Sequence, residues 1–176
     1  MTFKFKSASA NDSIVFGAER PGYPSRSVNN ESVREWISFM KASNIKRICC
    51  LLEQEQLAYY RDNLLPTYRK EFGDSNVCWA PVADYQLADI STLKQKILPF
   101  LAESDTKQER VVVHCSGGSG RTGHVLAAWL VHGRGFEVED ALSEVINGGR
   151  QPGEAVYCGC ATESQLYNLL NKCRRD

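Results

Sequence analysis

Residues 114–123, His-Cys-Ser-Gly-Gly-Ser-Gly-Arg-Thr-Gly, constrain this chain more than any other stretch. They follow the apolar run Val111-Val112-Val113 and precede Val125, Leu126, Trp129 and Leu130, which are spaced like a buried helix face. That context predicts strand, tight loop, helix. Cys115 stands at the mouth of the loop, with Arg121 six positions on and glycines at 117, 118, 120 and 123. Glycines let a backbone curl until successive N–H groups point inward. The helix that follows adds its positive end. The segment Ser116-Gly117-Gly118-Ser119-Gly120, closed by Arg121, therefore reads as a cradle for a tetrahedral oxyanion. A guanidinium can grip two phosphate oxygens at once, which an ammonium cannot. The same field favours a thiolate at Cys115, so the features that hold a phosphate also make a nucleophile. Thr122 can donate its hydroxyl to that sulfur when the sulfur departs.

Two other phosphate loops compete for this stretch. Gly118-x-Gly120-x-x-Gly123 matches the dinucleotide fingerprint, with Glu137, Glu139 and Asp140 near the acidic position. That motif requires a strand next, whereas Val138, Ala141, Leu142, Val145 and Ile146 have helical spacing. A nucleotide-triphosphate loop requires Lys where Arg121 stands and Gly where Cys115 stands. A buried structural cysteine beside a turn does not explain the Arg at this spacing.

The decapeptide resembles the signature of the cysteine-dependent protein tyrosine phosphatase superfamily: His-Cys, five residues, Arg, then Ser or Thr. The chain is most similar to the compact dual-specificity branch, including the cyclin-dependent-kinase-associated phosphatase and small atypical relatives. The resemblance implies a phosphocysteine mechanism without metal or cofactor. Its proton donor is an Asp on a loop upstream of the nucleophile. Pro81-Val82-Ala83-Asp84 is similar to the family's Pro-x-x-Asp, which assigns the acid to Asp84. Asp89 is the rival, but it directly precedes a helical pattern and reads equally as its N-cap. The resemblance also gives Gln165 the task of orienting the hydrolytic water. The pattern Thr162-x-x-Gln165 is at the same time a capping box.

The length of 176 residues suits one catalytic domain, 1–176, with one core. Formal net charge is zero, which offers nothing to nucleic acid or to a membrane surface. No apolar run spans a bilayer. Met1 to Ala10 lacks the apolar segment of a secretory leader. The seven cysteines are then expected to be reduced thiols in a cytoplasmic, monomeric protein. Cys49 and Cys50 read as small core residues. Cys158-x-Cys160 could form a redox pair or shield Cys115 from over-oxidation.

Alternating periodicities predict an α/β fold, a mostly parallel central sheet flanked by helices. Strands are expected at Phe3–Lys6 (an edge), Ile14–Phe16, Ile45–Leu52, Val77–Ala80 and Val111–His114. Helices are expected after the Ser32-x-x-Glu35 box, over Gln54–Leu65 until Pro66, from Ile90 with a kink or stop at Pro99, from Thr122, over Val138–Ile146 and after Thr162. Glu103–Arg110 reads as a solvated connector and Arg150–Cys160 as a loop. The Cys115 loop then lies at the carboxyl end of a strand, where ligands bind in such sheets.

The expected function is hydrolysis of phosphotyrosine, with phosphoserine and phosphothreonine, in phosphoprotein substrates. The alternatives are a phosphoinositide or RNA 5′-phosphate ester, a sulfurtransferase, and a catalytically silent phosphoprotein-binding module. Phosphoinositide enzymes of the tensin type carry basic residues inside the loop, where this chain has Ser116, Gly117 and Ser119.

Overall fold

The computed structural model describes residues 2–175. Five strands form one sheet: β1 (Lys6–Ser7), β2 (Val15–Ala18), β3 (Ile45–Cys50), β4 (Val77–Trp79) and β5 (Arg110–His114), in the order β1-β2-β5-β3-β4. Only the β1–β2 pair is antiparallel. The expected mostly parallel α/β sheet is therefore the fold, with β5 at its centre.

Burial on both faces explains why β5 is a continuous apolar run. Val111 and Val113 point into one core, shared with α5 (Leu98–Lys107), α6 (Gly120–Arg134), α7 (Val138–Asn147) and α9 (Glu163–Asn171). Val112 points into the other, shared with α1 (Asn30–Ala42) and α3 (Leu64–Phe72). This two-residue alternation delivers His114 to the second face and Cys115 to the first.

Several boundaries differ from the sequence reading, each for a local reason. Phe3 and Lys4 have φ of 48° and 46°, so a turn replaces most of the edge strand. Asn29, and not Ser32, caps α1, its side chain accepting from the Ser32 N–H at 2.9 Å. The helix expected over Gln54–Leu65 is one turn, α2 (Gln54–Leu57), and Pro66 sits in the first turn of α3. A proline there lacks only an N–H that has no intrahelical partner anyway. Pro99 is absorbed similarly, in the first turn of α5, after α4 (Ile90–Thr92) and a π-helical turn at Leu93–Ile97. Helix therefore continues to Lys107, through most of the expected connector. Within Arg150–Cys160 the chain forms one more turn, α8 (Glu154–Tyr157). No helix among the described residues is long and apolar enough to cross a membrane.

Candidate active site

The loop from Cys115 to Ser119 joins the carboxyl end of β5 to the N-terminus of α6. Gly118 adopts φ of +66°, and a Cβ there would lie 2.6 Å from the Ala18 carbonyl carbon. Both the backbone conformation and the close approach of β2 require glycine at that point. Buried cations hold the outer side of the loop. The Arg20 Nε donates to Ser116 Oγ at 3.0 Å, and the Arg20 N–H donates to the Ser116 carbonyl at 2.9 Å. Arg150 is also buried, and it donates from Nη1 to the Gly118 carbonyl and from Nη2 to the Lys4 carbonyl at 2.9 Å. Burial pushes its guanidinium down to about 10, which leaves it charged at neutral pH. The Ser116 and Gly118 carbonyls are thus engaged by donors outside the cradle, the Arg20 N–H and the Arg150 guanidinium.

His114 fixes the backbone at Cys115. The Cys115 carbonyl only accepts, so His114 Nδ1–H donates to it at 3.1 Å, and Nε2 accepts from the Tyr68 hydroxyl at 3.1 Å. Burial pushes His114 down to about 4, and the ring is neutral. It supports the loop and does not serve as a base.

Arg121 is almost fully buried and faces the opposite loop, residues 81–89. Its Nη1 donates to Gln56 Oε1 at 2.8 Å and to the Val82 carbonyl at 3.0 Å. Its Nη2 lies 3.0 Å from Asp84 Oδ1. The Arg121 Nε is buried and has no hydrogen-bond partner among the described residues. An oxyanion in the cradle is the acceptor such a donor lacks. Thr122 is likewise buried with an unpartnered hydroxyl, so no bond to the Cys115 sulfur is made in this arrangement.

The two candidate acids separate. Asp84 lines the cavity over Cys115, which has a volume of about 310 Å³ and is bordered by Ser116, Gly117, Ser119, Gly120 and Arg121. Asp89 caps α4 instead, accepting from the Thr92 N–H at 2.8 Å and from its hydroxyl at 2.5 Å, contacts that hold its carboxyl low. Gln165 is not brought to the cysteine. Its Oε1 accepts from the Thr162 N–H at 2.8 Å, completing the capping box, and its side chain borders a different groove, with Asp89 and Cys160. Cys158 and Cys160 are exposed, and neither borders the Cys115 cavity.

The structure adds Gln56 and Glu53, which the sequence reading did not single out, and gives places to His124, Tyr23 and Tyr85, which it did. Gln56 bonds Arg121 and also donates to Asp84 Oδ2 at 3.4 Å. Glu53 Oε2 accepts from the Asp84 N–H at 3.0 Å. Gln56 fell inside a stretch read as an ordinary helix and Glu53 directly before it, and neither was singled out. His124, in α6, accepts from the Ala88 N–H at 3.0 Å and so ties the far end of the acid loop to the cradle helix. Burial pushes it to about 4, consistent with a neutral acceptor. Tyr23 and Tyr85 form exposed walls of the cavity, as does Lys4 at its mouth.

A parallel sheet, a cysteine at the carboxyl end of its central strand, an arginine-closed anion loop and a facing carboxylate define a site of the cysteine-dependent phosphatase class. The model of the dual specificity phosphatase catalytic domain matches residues 30–156, and the chain belongs to that family. The dual specificity protein phosphatase Mpk3 of Drosophila melanogaster is 32% identical over 81 residues, covering 46% of this chain and 20% of that protein. The matched chain thus spans about a fifth of that relative's length. Among solved structures, Tk-PTP in its active form superposes with a TM-score of 0.69 at 24% identity, covering 98% of this chain and 97% of that one. Kinase associated phosphatase, with serine at its catalytic-site cysteine, gives 0.69 at 22% identity, covering 90% and 84%. At these identities the two structures speak for the fold.

Proposed function

We propose that this protein hydrolyses phosphate monoesters of phosphoproteins, phosphotyrosine first and phosphoserine or phosphothreonine as well, through a phosphocysteine. The observation that carries this reading is the convergence of Cys115, Arg121 and Asp84 on one cavity, with Arg121 and Asp84 3.0 Å apart. The cradle N–H groups and Arg121 bind the phosphate and stabilise the charge that develops on its equatorial oxygens. The Cys115 thiolate attacks phosphorus in line, and the S–P bond forms as the ester P–O bond breaks. Asp84 gives its proton to the leaving oxygen. Water then attacks the phosphocysteine, Asp84 takes a proton from it, and Thr122 donates to the departing sulfur. The exposed faces of Tyr23 and Tyr85 suit an aromatic substrate ring, which supports phosphotyrosine. No residue is assigned to orient the water.

The test is a pH–rate profile with p-nitrophenyl phosphate in EDTA, followed by a phosphotyrosine peptide. Wild type is expected to give a bell. Cys115→Ser is expected to lose about 10⁴-fold or more in turnover while retaining phosphate binding. Appreciable turnover by Cys115→Ser, or faster hydrolysis of phosphatidylinositol 5-phosphate vesicles than of the peptide, would overturn the reading.

A further inference from the structure

The cavity over Cys115 holds a second carboxylate, which the mechanism above does not use. Glu154, the first residue of α8, lies against the N-terminus of α6. Its Oε2 stands 1.8 Å from where a Cβ on Gly120 would be, and its own Cβ 2.7 Å away. Gly120 does not have a positive φ, so space, and not backbone freedom, is what requires glycine there. The carboxylate is therefore seated directly on the rim of the anion cradle. Its backbone is fixed as well. The Glu154 N–H donates to the Gln151 carbonyl at 3.0 Å, the next residue, Ala155, is buried, and Arg150 anchors the preceding segment in the core. Burial pushes the Glu154 carboxyl up, with Asp84 acting in the same direction, as expected of two acids sharing one cavity.

A carboxylate beside a phosphate cradle is costly for any substrate that brings a second negative charge. The other charged side chains lining the cavity are Lys4, Asp84 and Arg121. Arg121 is committed to the scissile phosphate and to Asp84. Arg121 therefore offsets Glu154 only in part, and the one other cation lining the cavity, Lys4, lies beside Tyr23, its Nζ 6.0 Å from that ring's centre. We propose that Glu154 is a specificity-determining residue, selecting phosphoresidues flanked by a basic side chain and disfavouring substrates with an acidic neighbour or a second phosphate. This inference rests on the phosphoprotein reading and names its substrate class.

The experiment compares two phosphotyrosine peptides that differ only in carrying Arg or Glu on both sides of the phosphotyrosine. Wild type at low ionic strength is expected to favour the Arg peptide about five- to ten-fold in kcat/KM, falling toward parity at 0.5 M salt, roughly as screening of a partly exposed pair demands. Glu154→Gln is expected to bring the ratio within about two-fold, and Glu154→Lys to reverse it. A purely structural Glu154 would change both peptides equally and leave the ratio alone. Equal rates on the two peptides in wild type, or an undiminished ratio in Glu154→Gln, would overturn the inference. Since wild type alone supplies the first criterion, a poorly folding variant does not protect the idea. If p-nitrophenyl phosphate is hydrolysed and neither peptide is, the phosphoprotein reading itself fails and this inference falls with it.

Discussion

The cradle that carries Cys115 and the loop that carries Asp84 face each other across one cavity, yet they are held in opposite ways. The cradle is bound from behind by groups in the core: Arg20 on Ser116, Arg150 on Gly118 and His114 on the Cys115 carbonyl, with all three cations or rings buried. The loop of Asp84 is buried only at Val82 and Ala88, the latter bonded to His124, while its centre is exposed and tied through Asp84 to Glu53, Gln56 and Arg121. Asp84 retains 41% of its side-chain exposure, against 2% for the Arg121 that it pairs with. Tyr85 next to it sits at φ +59°, a conformation a bulky residue adopts at some cost in strain. The difference suits the two tasks that the proposed mechanism gives them. A cradle stabilises a transition state only if its dipoles need not reorganise, so it is built into the core. An acid must reach a leaving group that varies with substrate, so it is placed on a surface loop and oriented by the charge it serves.

Breaking the acid side should affect turnover far more than folding. Asp84→Asn is expected to lower kcat roughly 10²- to 10⁴-fold and to remove the basic limb of the pH–rate bell, with the melting temperature nearly unchanged. A full bell in that variant would return the role to another group.

The two sides also share a pH liability. His114 lies under the cradle and His124 under the acid loop, and both are pushed by burial from 6.5 to about 4. Between those values the unfolded chain binds protons that the folded one does not. Stability is therefore expected to fall as pH drops from 6.5 toward 4, by roughly 1.4 kcal/mol per pH unit for each ring. Denaturant midpoints measured from pH 7 to 4.5 check the slope. His114→Gln and His124→Gln should each remove about half of it, and a flat profile in wild type would refute the assignment of both rings as neutral.

The converse break lies behind the cradle. Arg150→Met leaves the Gly118 and Lys4 carbonyls without their donor and should cost about 2–4 kcal/mol, seen as a lower denaturant midpoint accompanied by loss of phosphate affinity. The smallest effect is expected at Glu53, whose carboxylate accepts from the exposed Asp84 N–H and caps the single turn of α2. Glu53→Gln should shift stability by no more than about 1 kcal/mol and kcat by a few-fold. A large loss of stability there would mean that the acid loop is as firmly built as the cradle.

The sequence alone determined what is local. The decapeptide set strand, loop and helix and placed Cys115 and Arg121 on one loop, because each depends on residue spacing within a short stretch of chain. The apolar period in β5, and the capping box at Thr162 and Gln165, were legible for the same reason. Tertiary structure decided whatever depends on two distant segments meeting. It separated Asp84 from Asp89 and kept Gln165 in its helix cap, away from Cys115. It also brought Gln56 to Arg121 across 65 positions and seated Glu154 on Gly120. Nothing in a one-dimensional pattern encodes such meetings. They arise because the parallel sheet carries the carboxyl ends of β3, β4 and β5 to one edge, where the segments that follow each strand must share a single cavity.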